Sequence, residues 1–297
     1  RPLLRVQMIQ AKIIADSITS AANRLTTFEV EFHRFILPEL NTHRVFSRNY
    51  QSSRAVPIAK LIEQVIHDPA LPVYWGKNQP GMEASEEDAN WNDAGRGGDQ
   101  WRDAAVNAAV SATEMLDSGY HKQIVNRLLE PFMWTRGVIT ATQEGMESFF
   151  ALRCHPAAQP EIRALAEEMR TVYNQSEPVL LEQGEWHTPY FGDGYWRKGN
   201  KFELQNAIKI ATSCVAQVSY RRLDDSLEKA HKIYDMLNLP EDGAYKEDPP
   251  HFSPAEHCAM AITDRAESWS SGNFNTKGWY QYRKMLEKGR KYYALSN

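Results

Sequence analysis

The hydrophobic and polar positions near the start of the chain alternate in a way that predicts two strands. Residues 4–9 form a short, mainly apolar run, and residues 26–36 alternate with a period of two. That period places successive side chains on opposite faces of a strand. One face of the second strand carries Phe28, Val30 and Phe32, and the other carries Glu29, Glu31 and His33. We therefore expect a half-buried sheet, with residues 10–25 as a turn-like connection.

Helical spacing dominates the rest of the chain. Residues 56–67 repeat their apolar positions every three or four residues, which predicts an amphipathic helix. The same period returns at 162–173, 204–218 and 226–237. Ser253, followed by Pro254 and Glu256, has the S-x-x-E pattern of a capping box and predicts a further helix start. The whole pattern indicates an α+β fold, a small and mostly antiparallel sheet packed with many helices.

Two stretches show neither period. Residues 76–98 are rich in Gly, Asn, Asp and Glu, and residues 183–199 combine glycines with aromatic side chains. An irregular segment of such length in a compact protein is a lid, a binding loop or a disordered region. We expect both to be irregular insertions. The sequence leaves open whether residues 76–98 close over a site or only decorate the surface.

Composition narrows the class of protein. The 297 residues include 34 Lys and Arg against 38 Asp and Glu, a net charge of −4, so the chain lacks the basic field that binds nucleic acids. No apolar run approaches the roughly 20 residues of a membrane span. The odd number of widely spaced cysteines, Cys154, Cys214 and Cys258, argues against a disulfide framework. We expect a cytoplasmic protein without nucleic-acid or membrane partners.

The densest polar cluster follows the second predicted strand, at residues 41–54. It holds three arginines, one histidine and three serines within fourteen residues. Arginine binds phosphate through two parallel hydrogen bonds, and serine hydroxyls complete its coordination. The cluster is therefore either a phosphate or nucleotide site or a polar turn with incidental arginines. No P-loop, dinucleotide-binding glycine motif, zinc motif or serine-nucleophile elbow occurs.

The order of residues inside this cluster carries a family resemblance. Thr42, His43 and Arg44 are followed by seven residues and then Ser52. This arrangement resembles the Arg-His-Arg, seven residues, Ser signature of the flavin-dependent thymidylate synthases. Three later segments resemble further parts of that family in the same order. They are Arg-Leu-Leu-Glu-Pro from residue 127 with Trp-Thr at 134–135, Phe-Phe-Ala-Leu-Arg at 149–153, and Ala-Gln-Pro-Glu-Ile-Arg at 158–163.

Two other family segments stand in an unusual place. Ala-Gln-Val-Ser-Tyr at 216–220 and His-Phe-Ser-Pro-Ala-Glu-His at 251–257 resemble segments that precede the signature in typical members. We interpret the changed order as a circular permutation or an equivalent rearrangement, which is reasonable where chain termini lie close together. The chain 1–297 would then be a single catalytic domain, with residues 251–257 beside the loop 42–54.

The resemblance implies a reaction and a set of partners. Members transfer a one-carbon unit from methylenetetrahydrofolate to C5 of dUMP, with FAD as the hydride donor and NADPH as its reductant, in homotetramers with sites at subunit interfaces. It implies a cytoplasmic enzyme of a bacterium, or of a bacteriophage acting in its host. By similarity, the FAD-binding residues would be Thr42, His43, Arg44, Ser148, Ser253 and Glu256. The nucleotide-binding residues would be Glu39, Ser52, Ser53, Arg54, Arg127 and Arg153, with Arg153 catalytic beside the pyrimidine.

Several positions depart from the family pattern. Thr42 and Glu144 stand where members carry arginines near the flavin, and Ser148 replaces an Asn. Glu39 replaces a Gln beside the nucleotide, and Tyr50 replaces a Glu. Because Glu39 can accept a hydrogen bond from an amino group, action on dCMP, or addition of a hydroxymethyl group, stays open. So do neutral variation and a nucleotide-binding relative without catalysis.

Overall fold

The computed structural model describes residues 8–84, 86–87, 92, 95–219, 223–240, 244, 246–262 and 278–287. These residues form two sheets. The strands of the first are β1 (Gln10–Thr19), β2 (Arg24–His33), β3 (Ser47–Tyr50), β4 (Trp134–Thr142) and β5 (Val179–Leu181). The strands of the second are β6 (Trp186–His187), β7 (Tyr195–Trp196), β8 (Ala259–Ala261) and β9 (Trp279–Gln281).

Helices pack around both sheets, and the predicted α+β class is confirmed. They are α1 (Leu37–Asn41), α2 (Ile58–His67), α3 (Arg96–Asp117), α4 (Lys122–Val125), α5 (Gln143–Arg153), α6 (Pro160–Gln175), α7 (Lys201–Ala216), α8 (Leu227–Met236) and α9 (Tyr282–Glu287). The helices predicted at 56–67, 162–173, 204–218 and 226–237 correspond to α2, α6, α7 and α8. Among the described helices, none is both long and apolar enough to cross a membrane.

The first sheet has the order β3–β4–β2–β1–β5 and is antiparallel except for the β1–β5 pair. Its centre is the pairing of β2 with β4, which runs in register from Leu25 opposite Thr142 to His33 opposite Trp134. The predicted apolar face of β2 packs under α5 and α6. The core there contains Phe28, Val30, Phe32, Phe149, Ile162 and Leu165.

The opposite face of β2 is more buried than its alternation predicts. Glu31 is only 4% exposed and His33 only 1%, so the expectation of a half-buried strand is wrong for these two positions. Gln10 on β1 donates a hydrogen bond to Glu31 at 2.6 Å, and the His33 ring packs against Trp134. Long side chains of neighbouring strands cover the polar face, which the sequence of β2 alone does not reveal.

The first strand lies later than the sequence predicts. The segment predicted as a strand at 4–9 has residues 4–7 outside the described part, and residues 8–9 precede any strand. The turn-like stretch is instead strand β1. Its buried positions include small and polar side chains, such as Ala15, which lies against Gly194, and Ser17, which is bonded to His187 of β6. Because the buried residues of β1 are small or polar, its sequence shows no alternation of apolar positions.

The two irregular stretches are partly ordered into regular elements. Helix α3 begins at Arg96, inside the stretch predicted as loop, and Gly76 forms an isolated bridge with Glu87. Residues 85, 88–91 and 93–94 of that stretch lie outside the described residues. The second stretch contributes β6 and β7, so Trp186 and His187 belong to a buried sheet. The single-domain organisation of 1–297 stays a prediction.

A chain of buried hydroxyl and imidazole groups joins the two sheets. The ring of His187 lies 2.9 Å from Ser17 Oγ through Nδ1 and 2.7 Å from Thr27 Oγ1 through Nε2. Thr27 Oγ1 lies 2.7 Å from Thr140 Oγ1, which lies 2.7 Å from His257 Nδ1. All five side chains are buried. Because the partners come from both sheets, this network specifies how the layers pack.

The two histidines of this network make stability depend on pH. Burial lowers the pKa of His187 and of His257 to about 3, and the nearby His187 contributes further to the shift of His257. An unfolded histidine has a pKa near 6.5. Between these values the unfolded chain binds more protons, so the free energy of unfolding falls as pH falls, by about 1.4 kcal/mol per unit for each histidine.

We expect His257→Gln to reduce this pH dependence. The measurement is urea unfolding at pH 7.5 and pH 5.0, comparing the loss of unfolding free energy between the two. His67→Gln on the exposed end of α2 is the matched control and should keep the wild-type slope. If His257→Gln loses as much stability between the two pH values as the wild type does, His257 is not neutral in the fold.

Candidate functional site

The polar cluster at 41–54 is a turn followed by an edge strand. Helix α1 ends at Asn41, a turn carries His43 and Arg44, and β3 pairs with β4. The turn is closed by backbone bonds from His43 N to the Leu40 carbonyl and from Phe46 N to the His43 carbonyl. Its polar side chains are therefore held on an ordered backbone at the edge of the first sheet.

Arg153, at the C-terminal end of α5, contacts Thr42 and His43 of the signature at this turn. Its Nε donates to His43 Nε2 at 2.8 Å, and its Nη2 donates to Thr42 Oγ1 at 3.1 Å. Thr42 Oγ1 in turn donates to the Glu39 carbonyl at 2.7 Å. The structure thus brings Arg153 to two adjacent residues that lie 110 and 111 positions before it in the chain. It also gives Thr42 a role that an arginine would not fill, because a second guanidinium would repel Arg153.

The His43 ring is neutral. It packs against Phe46 and Phe149, and burial, followed by the charges of Arg153 and Arg48, lowers its pKa to about 4. Because Nε2 accepts from Arg153, the ring hydrogen is assigned to Nδ1. A neutral acceptor orients the guanidinium without cancelling its charge.

The other end of β3 carries the predicted nucleotide residues. Ser52 N donates to Ser219 Oγ at 2.9 Å, and Asn126 Nδ2 donates to the Ser53 carbonyl at 2.7 Å. Ser53 is buried, whereas Arg54 is exposed and makes no bond to any described residue. These residues and Arg153 lie beyond opposite ends of the four-residue strand. The chain therefore presents two groups of candidate residues, one at each end of β3.

Arg127 belongs to the second group. Its Nη1 lies 2.7 Å from Glu130 Oε1. The same carboxylate oxygen lies 3.6 Å from Arg34 Nη2, and Arg34 Nη1 donates to the Gln51 carbonyl at 3.0 Å. Arg34 was not predicted from the sequence because it stands alone, directly after β2. The pairing of β2 with β4 brings residues 130–133 alongside Arg34, and no local pattern in the sequence shows this pairing.

Both displaced C-terminal segments lie against β3, as the rearrangement predicts. The turn Gln217–Ser219 of the first segment packs against β3, and the preceding Val215 carbonyl accepts from Asn49 Nδ2 at 2.8 Å. In the second segment, Ser253 Oγ donates to Asn49 Oδ1 at 3.3 Å. The expected proximity of residues 251–257 to the signature is therefore confirmed. Tyr220, the last residue of the first segment, lies outside the described part. The permutation itself stays a prediction.

The prediction of a capping box at Ser253 is wrong. Ser253–His257 is a five-residue 3-10 helix without a side-chain cap. The Ser253 hydroxyl is bonded to Asn49, and Glu256 forms an ion pair with Arg283 of α9. The local S-x-x-E pattern failed because tertiary partners outcompete the backbone amides for both side chains.

Two departures from the family pattern bury polar atoms without partners. Glu39 Oε2 and the Tyr50 hydroxyl are both buried and unpaired among the described residues. Burial also raises the pKa of Tyr50. Glu144 has a simpler explanation, since it occupies the first turn of α5, where the helix dipole favours an acidic side chain.

The residues predicted to bind FAD fit it in part. A flavin dinucleotide offers phosphates and hydroxyls, which call for cations and hydrogen-bonding groups. Arg44 and Ser148 are exposed and unpaired among the described residues. These groups suit the cofactor, whereas Ser253 and Glu256 are committed within the protomer. In the described ranges, no group of three or more His, Cys, Asp or Glu could hold a metal ion.

Comparison with known proteins identifies the family. The model of the family Thy1, described as thymidylate synthase complementing protein, matches residues 14–179, more than half of the chain. The protein therefore belongs to this family, and the predicted resemblance is confirmed. The match includes the signature, Arg127 and Arg153, and it ends before both displaced segments.

Solved structures of similar fold include a UMP/dUMP methylase, PolB from Streptomyces cacaoi, bound with 5-Br UMP or with 5-Br dUMP. Each is 17% identical to this chain and covers 59% of it, with TM-scores of 0.47 and 0.46. The matches include 91% and 92% of those chains. No curated protein sequence matches this one.

The packing of the Tyr50 ring against β4 requires a glycine at position 137. A Cβ on Gly137, the cross-strand neighbour of Tyr50, would overlap the Tyr50 ring. We expect Gly137→Ala to lower the free energy of unfolding by about 1–3 kcal/mol through overpacking, measured by urea denaturation. In a Tyr50→Ala background the same methyl should cost little. An equal cost in both backgrounds would contradict the close packing of ring and strand.

Proposed function

We propose that this protein is a flavin-dependent thymidylate synthase that methylates dUMP to dTMP. The co-substrates are methylenetetrahydrofolate and NADPH, and the cofactor is FAD. The observation that carries the proposal is the Arg153 guanidinium, held by Thr42 and neutral His43 of the signature in a chain of the Thy1 family. A homotetramer with shared sites is part of the same proposal, since Arg44, Arg54 and Ser148 face outward without partners in the described protomer.

Arg153 supplies electrostatic stabilisation. Two of its nitrogens are bonded to His43 and Thr42, so Nη1 is the nitrogen left for a substrate. A positioned guanidinium stabilises the negative charge that develops on a pyrimidine ring when C5 attacks the one-carbon carrier. Bound FAD would supply the hydride, and the protein contributes placement and charge.

The cysteines support a mechanism without a protein nucleophile. Burial raises the pKa of Cys214 and of Cys258 to about 12, so both thiols stay protonated at neutral pH and are poor nucleophiles. Cys154 is partly exposed, but burial raises the pKa of its thiol as well. The thiols of this chain are therefore poorly suited to covalent attack on the base.

A separate observation supports a second candidate function. The buried and unpaired Glu39 Oε2 requires a hydrogen-bond donor, because a buried carboxylate oxygen without one is costly. The exocyclic amino group of a cytosine base would satisfy it, whereas uracil carries a carbonyl oxygen at the corresponding ring position. Methylation or hydroxymethylation of dCMP is therefore the alternative that competes with dUMP methylation.

The deciding experiment is mass analysis of nucleotides after incubation with FAD, NADPH, methylenetetrahydrofolate and equal dUMP and dCMP. Conversion of dUMP to dTMP supports the first proposal. Consumption of dCMP, or a hydroxymethyl product, supports the second. If neither nucleotide changes although flavin is bound, the chain binds nucleotides without this catalysis.

In the same assay, Arg153→Ala should retain flavin absorbance and lose product formation, because the charge near the base is removed while Arg44 and Ser148 remain for the cofactor. Arg170→Ala, which removes an exposed arginine of the neighbouring helix α6, is the matched control and should turn over normally. Normal turnover by Arg153→Ala would remove Arg153 from the catalytic role.

Arg54→Ala is expected to weaken nucleotide binding by about 10- to 100-fold, the usual effect of losing a charged hydrogen bond to phosphate. Isothermal titration with dUMP and with deoxyuridine separates the phosphate from the base, and only dUMP binding should change. An unchanged dUMP affinity would exclude Arg54 from the phosphate site.

A further inference from the structure

Glu130 lies between two arginines and shares one oxygen with both. Its Oε1 is 2.7 Å from Arg127 Nη1 and 3.6 Å from Arg34 Nη2. The two arginines come from distant parts of the chain, Arg34 directly after β2 and Arg127 from the 3-10 turn Asn126–Leu128. A single carboxylate therefore serves as the counter-ion of two guanidinium groups.

Arg34 is a largely enclosed cation. Its side chain is only 15% exposed, and burial, together with the charge of Arg127, lowers its pKa, whereas Glu130 opposes that shift. A cation withdrawn from water is stable only next to an anion. The position thus demands a negative group, which Glu130 provides within the protomer.

The arginine opens onto a cavity. A space of about 330 Å³ is lined by Arg34, Phe35, Leu37, Pro38, Asn41, Glu130 and Pro131. Its polar groups are a guanidinium, a carboxylate and an amide, set among apolar walls. A volume of this size lies within the range of small-molecule sites, which combine apolar walls with a few polar groups.

The cavity adjoins the segment predicted to bind phosphate. Arg34 Nη1 donates to the carbonyl of Gln51, the residue before Ser52. Asn41, which also lines the cavity, is the residue before Thr42 of the signature. The cavity therefore adjoins both parts of the cluster 41–54.

We propose that this cavity receives the phosphate of the nucleotide, with Arg34 as a phosphate ligand beside Arg127. Glu130 acts as an internal counter-ion that the phosphate displaces. The inference rests on the proposed function in that the ligand is a nucleotide monophosphate. A phosphate dianion and the Glu130 carboxylate repel each other, so binding requires the carboxylate to leave Arg34 and Arg127. Glu130 thereby lowers affinity for phosphate while it keeps Arg34 charged in the free protein.

The test is isothermal titration of the full chain with dUMP, inorganic phosphate and deoxyuridine. Glu130→Gln keeps the shape of the side chain and removes the competing charge, so dUMP and phosphate should bind about tenfold more tightly. Arg34→Gln should weaken both by about tenfold or more. Deoxyuridine binding should not change in either variant. Glu63→Gln, on the exposed side of α2, is the matched control.

Each outcome decides the inference. An unchanged or weaker affinity for phosphate in Glu130→Gln would overturn it, as would the absence of phosphate and dUMP binding in both wild type and Glu130→Gln. Unchanged dUMP affinity in folded Arg34→Gln would exclude Arg34. If Arg34→Gln does not fold, as monitored by circular dichroism, the Glu130→Gln result decides alone.

Turnover separates this inference from the proposed function. If the enzyme converts dUMP but all variants bind dUMP equally well, the proposed function holds and the proposed phosphate site is wrong. If the variants bind phosphate as expected but no nucleotide is converted, the phosphate site holds and the proposed function is wrong.

Discussion

The pairing of β2 with β4 is the constraint on which both the fold and the site depend. Nine residues of each strand face one another in register. Helix α5 follows β4 without a loop, and α1 follows β2 after one short turn. The strand pairing therefore sets where Arg153 ends α5 relative to His43. It also places Arg34, at the end of β2, beside Glu130, just before β4. One hydrogen-bonded ladder thus locates a cationic group at each end of the candidate site.

The two cationic groups differ in how their charge is balanced. Arg153 is held by neutral acceptors, Thr42 and a His43 whose pKa burial lowers, so its charge stays available to a substrate. Arg34 and Arg127 are balanced by Glu130, so an incoming anion must replace an existing one. This difference supports the proposed placement of the pyrimidine at Arg153 and of the phosphate at Arg34 and Arg127.

The outcome of the sequence predictions follows the range of the interactions involved. The amphipathic helices α2, α6, α7 and α8 were predictable because their period depends on residues three and four apart. Strand β1 and the capping box at Ser253 were not, because small polar residues of β1 are buried by a distant sheet and Ser253 bonds to Asn49. For the site, the signature and Arg153 could be matched by motif. Arg34 belongs to no motif, and the pairing of Glu130 with two arginines is visible only in the folded chain.

By itself, the sequence determined the α+β class, the main helices, the family and the order of its matching segments. Each of these depends on local periodicity or on short runs of residues. The tertiary structure alone decided that Glu31 and His33 are buried, that the Ser253 hydroxyl bonds to Asn49 and caps no helix, and that Glu130 joins two arginines. Contacts between residues tens or hundreds of positions apart arise only when the strands pair and the layers pack, because burial and charge balance are properties of the assembled neighbours.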